Sequence, residues 1–271
     1  MKTSKNLYAV LISVVLLSFI MIAEQASAEK IKPYDWSQTL EIPPGTGIDE
    51  GNQILHFKSK NRHYTKNSSA KKFVENYFIN AKVLQSDAEV LRFASDAVVV
   101  QNGVFLEMGV CTGRTINFIA ALNPSKVIYG FDSFNGLPEE WVRYDRVFKK
   151  GTFGFKDDTY TPPVLHNVRL YKGWFKEVLP GFKSEVLKNT PIAFLHIDCD
   201  IYSSTKDVLN ILKTNFMQGT IIVFDELYNY PGFEEHEWKA LQEFLNETKF
   251  EMEILAFNEN HEQVVIKLIK K

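Results

Sequence analysis

The chain has 271 residues, 45% of them hydrophobic and 24% charged, enough for one α/β domain with a large core. Its 31 Lys and Arg against 33 Asp and Glu leave a net charge of −2, which excludes the basic surface of a nucleic-acid binder. Two cysteines exclude a disulfide scaffold, and no repeat or low-complexity segment is present.

Residues 1–28 read as an export signal. Lys2 and Lys5 make a positive start, residues 7–23 carry no charge, and Ala26-Ser27-Ala28 offers small residues for cleavage before Glu29. An uncleaved membrane anchor over 7–23 is the second reading. Both place the rest of the chain outside the cytoplasm, in a periplasm, a secretory lumen or the medium. Cytoplasmic residence with a buried N-terminal helix is the remaining alternative, but Ser13 and Ser18 are few polar residues for a globular helix. Residues 29–66, with Pro33, Pro43, Pro44, Gly45, Gly47 and Gly51, read as an irregular arm: a lid over a site or a linker.

From 67 to 271 the pattern is one domain. Helical spacing covers 70–84, then 87–98, where Ser86 and Glu89 form a capping box. Residues 104–106 are a buried strand followed by Glu107, the turn glycines Gly109 and Gly113, and a helix over 114–122. Glycines let the backbone take angles closed to other residues and let a ligand approach it. A helix start at that point suits an anion or a polar cofactor. The next strand, 127–131, ends in Asp132, placed to accept hydrogen bonds from both hydroxyls of a ribose. Glu107 is a costly buried carboxylate unless paired, and the cationic methionine part of S-adenosylmethionine (SAM) is one partner that would do so. Cys111 and Arg114 break the G-x-G-x-x-G pattern of a NAD site.

A turn-rich loop follows Asp132, and 142–163 reads as an excursion without regular elements. Strand 168–171 leads to Lys172-Gly173-Trp174-Phe175, where Trp174 either lies against an adenine or simply packs. Strand 192–197 runs into Asp198-Cys199-Asp200, and a helix follows over 205–213. Strand 219–224 runs into Asp225-Glu226, followed by a helix over 235–246. Strands 250–257 and 263–269 close the chain as an antiparallel hairpin. The fold class is α/β: a doubly wound, mostly parallel seven-stranded, Rossmann-like sheet.

Asp198, Asp200, Asp225 and Glu226 then share the carboxyl edge of the sheet, where ligands bind. Clustered carboxylates repel unless a cation joins them, and all-oxygen ligands favour magnesium, then calcium or manganese. Asp198, Asp225 and Glu226 are the candidate metal ligands, and Asp200 suits a helix cap better. A metal beside a SAM pocket can bind a substrate hydroxyl and lower its pKa, and Asp198 can take the proton before in-line methyl transfer. Two other readings stand beside this one. Asp198-Cys199-Asp200 matches the D-x-D of a metal-dependent glycosyltransferase, which leaves Glu107, Gly109, Gly113 and Asp132 without roles. A non-catalytic binding protein on a degenerate fold would have no physical need for mutually repelling carboxylates.

Five stretches, 107–115, 129–139, 172–175, 196–205 and 224–228, resemble in order the macrocin O-methyltransferase family, sugar O-methyltransferases of macrolide and aminocoumarin pathways. The resemblance covers roughly residues 70–250. It implies the class I SAM methyltransferase fold and magnesium-dependent methylation of a sugar hydroxyl on a small molecule. It implies a cofactor site of Glu107, Gly109, Val110, Gly113, Thr115, Asp132, Ser133, Gly173, Trp174 and Asp198. Asp198, Asp225 and Glu226 would hold the metal, with Asp198 catalytic. His236-Glu237 resembles the family's His-Glu pair, which makes His236 a further catalytic candidate, beside a packing or substrate-side role. A phenol or catechol acceptor suits the same chemistry, and a homo-oligomer is open. The export signal and the arm depart from the family. Cys111 and Cys199 fall in adjacent loops, as a disulfide or, better, as two small buried thiols.

Overall fold

Apolar runs without alternation need cover on both faces, so they belong in the middle of a parallel sheet. A computed structural model describes residues 68–157 and 159–271 and puts them there. The expected export signal, and the arm over 29–66, lie outside these residues. The elements are α1 (Ser68–Tyr77), β1 (Lys82–Leu84), α2 (Asp87–Asp96), β2 (Val104–Met108), α3 (Arg114–Leu122), β3 (Ile128–Asp132), β4 (Trp141–Val142), β5 (Val147–Phe148) and β6 (Val168–Lys172). Then come α4 (Phe175–Phe182), β7 (Ile192–Ile197), α5 (Tyr202–Leu212), β8 (Ile221–Phe224), α6 (Glu237–Glu247), β9 (Phe250–Asn258) and β10 (Val264–Lys270).

The main sheet has the order β1-β9-β10-β8-β7-β2-β3-β6. Every neighbouring pair is parallel except β10, which runs antiparallel to both β8 and β9. β7 and β8 are buried at every position, as their unbroken apolar runs require. Alternate side chains feed two cores. Phe105, Phe194 and Val223 pack with α2 and α3 on one face, and Leu106, Leu195 and Phe224 pack with α4, α5 and α6 on the other. The strand order reverses between β2 and β7, and that switch point leaves a crevice at the strands' carboxyl ends.

The doubly wound α/β expectation holds, with corrections. The sheet has eight strands rather than seven. Residues 82–84 are not the end of a helix but β1, paired with the carboxyl end of β9 and burying Leu84. A three-residue strand is too short to show a period. The excursion 142–163 contains part of a small ribbon, β4 with β5. Ser86 caps α2 by accepting the Glu89 N–H at 3.2 Å. Glu89 returns its carboxylate to the Gln85 N–H, not to that of Ser86. Among the described residues no helix is long and apolar enough to cross a membrane.

Candidate active site

The turn after β2 is built by backbone demands. Gly109 has φ +91°, and a Cβ there would lie 1.7 Å from the carbonyl oxygen of Asp198. Only glycine fits where the ends of β2 and β7 approach so closely. The Val110 and Cys111 N–H groups donate to Asp132 Oδ2 at 2.8 and 2.7 Å, and Phe134 N–H donates to Oδ1 at 2.7 Å. Asp132 therefore ties the end of β3 to the turn. α3 begins at a left-handed Gly113 with no side-chain cap.

A cavity of about 730 Å³ opens over this turn. Its wall includes Gly109, Val110, Thr115, Asp132, Ser133, Gly173 and Trp174 of the expected cofactor set, with Asp198, Asp225 and Glu226 on the same wall. The volume lies in the range of cofactor-sized sites. The glycine cradle and the carboxylate at the end of β3 fit SAM.

One carboxylate oxygen from each of Asp198, Asp225 and Glu226 falls within 4.8 Å of the others. Burial, then the charge of Asp225, pushes Asp198 well above the usual carboxylate range. Glu226 is pushed well up by burial and then by Asp225 and Asp200. Asp225 goes the other way: burial would raise it, but the hydrogen bond and charge of His196 hold it low. The buried carboxylates thus oppose one another: His196 favours negative charge on Asp225, and that charge disfavours it on Asp198 and Glu226. Glu226 Oε2 is buried without a hydrogen-bond partner. Three convergent carboxylates with an orphaned oxygen fit a hard divalent cation. Asp200 also lines the cavity, at φ +65°, and is pushed up to about 7 by burial and then by Asp225. It caps nothing, since α5 starts after Ile201 with no side-chain cap.

Three expected site residues are elsewhere. Glu107 is fully buried and is not on the cavity wall; its Oε1 has partners within the chain, and its Oε2 has no hydrogen-bond partner. Thr115 Oγ1 donates to Glu107 Oε1, and His196 Nδ1 lies 2.9 Å from the same oxygen. Gly113 faces Pro162 and Asn117, not the cavity. Its role is the left-handed entry to α3. His236 is also off the wall: Nε2 sits 2.9 Å from the Val142 carbonyl, and the ring meets Trp141 and Tyr230. It fastens the β4–β5 ribbon, the packing role offered beside the catalytic one. Cys111 and Cys199 are free thiols, one half-buried and one buried.

Sequence reasoning gave no role to four groups that shape this place. His196 has one signal: a lone polar residue in an apolar strand, in register with Glu107 on β2. Gln263 Nε2 donates to Asp225 Oδ1 at 3.1 Å. Arg114, on the cavity wall, pairs with buried Asp87 at 2.8 Å. Arg143 pairs with Glu262 at 2.8 and 3.2 Å, its guanidinium 4.0 Å from the centre of the Tyr230 ring. No local pattern announces these long-range pairs.

Residues 78–260 match the family model described as macrocin O-methyltransferase (TylF). A curated relative from Streptomyces olivaceus, "8-demethyl-8-(2,3-dimethoxy-alpha-L-rhamnosyl)-tetracenomycin-C 4'-O-methyltransferase", is 25% identical over 142 residues. That match takes in 46% of this chain and 52% of the relative, so the chain spans about half the length of that protein. The crystal structure of CalS11, a calicheamicin methyltransferase, superposes with a TM-score of 0.52 at 22% identity, covering 86% of this chain and 96% of that one. This likeness shows the shared fold.

Proposed function

The chain belongs to the macrocin O-methyltransferase family, and from that premise we propose that it transfers a methyl group from SAM to a hydroxyl of a sugar-bearing small molecule, with a divalent cation at the acceptor. One observation carries the reading. Asp198, Asp225 and Glu226 converge on the wall of the same cavity that the Gly109 turn and Asp132 line. The sugar is suggested by the Streptomyces olivaceus relative, whose name places its methyl on a rhamnosyl-bearing compound.

When bound, SAM supplies a sulfonium methyl and magnesium supplies Lewis acidity that favours the acceptor's alkoxide. The chain's own residues do the rest. Asp132 presents two oxygens, already oriented by three backbone amides, to the ribose hydroxyls. The Gly109 turn lets the cofactor approach the main chain. Asp198, Asp225 and Glu226 hold the cation, and Asp198 takes the hydroxyl proton. Leu137, Phe153 and Phe175 add apolar surface to the cavity lining. Residues 1–28 add export of the enzyme, or its anchoring, to this reading.

Calorimetry with S-adenosylhomocysteine (SAH), with and without magnesium, tests it. Micromolar binding is expected, and Asp132→Ala should weaken it at least tenfold, about 1.4 kcal/mol. A folded sample that binds no SAH overturns the proposal. Unchanged affinity in the variant overturns the ribose assignment alone.

A further inference from the structure

Under the cavity a continuous polar chain joins its two halves. Thr115, in the first turn of α3, donates to Glu107 Oε1. That oxygen lies 2.9 Å from His196 Nδ1, and His196 Nε2 lies 3.5 Å from Asp225 Oδ1. Gln263 donates to the same Oδ1 at 3.1 Å. The two ends, Thr115 and Asp225, are on the cavity wall, while the middle pair is 0% and 1% exposed. Parallel pairing sets Glu107 opposite His196, so the link is fixed by strand register and not by surface rotamers. Burying a carboxylate and an imidazole between apolar strands costs stability that two leucines would not. Nδ1 is within hydrogen-bond distance of Glu107 and Nε2 faces Asp225 at ion-pair distance, so turning the imidazole would break the first contact and disturb the second.

We propose that His196 is a positioning residue: through Glu107 and Thr115 it ties the Asp225 carboxylate to the first turn of α3, so that cofactor binding and metal binding reinforce one another. The inference rests on the methyltransferase reading. Ligand-holding contacts of this kind are commonly worth ~10–100-fold in metal affinity. Coupling between two sites commonly amounts to ~5–150-fold and is reciprocal.

The test is calorimetry of the full chain, titrated with magnesium with and without SAH, and with SAH in a metal-free buffer. In the unaltered protein SAH should tighten magnesium binding at least ~5-fold. His196→Asn puts an amide near the place of Nδ1 but cannot reach Asp225. It should lose ~10–100-fold in magnesium affinity together with the coupling, and keep its metal-free SAH affinity. His196→Gln, which reaches the place of Nε2, should recover magnesium affinity without the coupling. His196→Asn with unchanged magnesium affinity and coupling overturns the inference and leaves the transferase reading intact. If that variant does not fold, Thr115→Val cuts the chain at its other end with one hydroxyl lost. Coupling that survives in it overturns the inference equally. An unaltered protein that binds no SAH overturns the reading itself.

Discussion

Gly109 and Asp198 touch through the backbone: the space a side chain would need at Gly109 is filled by the Asp198 carbonyl. The cofactor turn and the start of the acidic loop are thus one packed unit. Gly109→Ala forces a non-glycine residue to φ +91° and pushes main chain against main chain. The expected loss is about 3 kcal/mol, from left-handed strain and overpacking together. Urea denaturation measures it, and an unchanged midpoint would show that the two strands do not meet as described.

Arg143 is held between charges and rings. Its guanidinium pairs doubly with Glu262 and lies over Tyr230, with Trp141 5.0 Å away. Arg143→Met removes the guanidinium from a buried carboxylate and should cost ~3–5 kcal/mol. Adding Glu262→Gln should recover part of that loss, because the buried charge goes too. A double-mutant cycle by chemical denaturation reads the coupling. Strictly additive losses would mean that the pair does not hold the ribbon.

Cys111 sits half-buried in the glycine turn. Burial first, then the charges of Asp132 and Asp198, push its thiol up from 9.0 to about 11. The thiolate is the reactive form, so a higher pKa means less of it. At pH 8 alkylation should run about tenfold slower than for an unperturbed thiol, since the loss of thiolate is partly offset by its greater nucleophilicity. Cys199, buried beside the Thr205 hydroxyl, should react no faster. Mass spectrometry of unreduced protein should count two free thiols, and a linked pair would contradict the arrangement.

The start of the chain makes its own prediction. Cleavage after Ala28 gives a mature protein beginning at Glu29. N-terminal sequencing of protein purified from its native source reads this directly. An intact Met1 rules out cleavage and turns attention to an anchor or to the cytoplasm.

The sheet was legible where physics leaves a periodic trace. Runs such as 192–197 and 221–224 contain almost nothing polar, which only a doubly covered strand tolerates. Asp198, Asp225 and Glu226 were legible because carboxylates at consecutive strand ends must share one edge. β1 was hidden by its three residues and by the helical spacing that runs into it. Glu107 was legible as a buried carboxylate, but its partner was not. His196 lies 89 residues away, and only the strand order makes them neighbours. His236 was open between catalysis and packing, because a motif-like pair shows only that it follows the acidic loop; the ring's contacts are with the ribbon.

The place of β7 in the sheet also says when the molecule can begin to work. β2 and β3 emerge early and pair side by side, but the floor beneath the cavity needs β7 beside β2, and β8 beyond it. These are long-range contacts, whose loop closure slows folding. Because the Gly109 turn packs against the Asp198 carbonyl, turn and acidic group are completed together, once β7 is in place. Binding competence should arrive late and abruptly, with the docking of β7, and so would serve as a clock for completion of the fold.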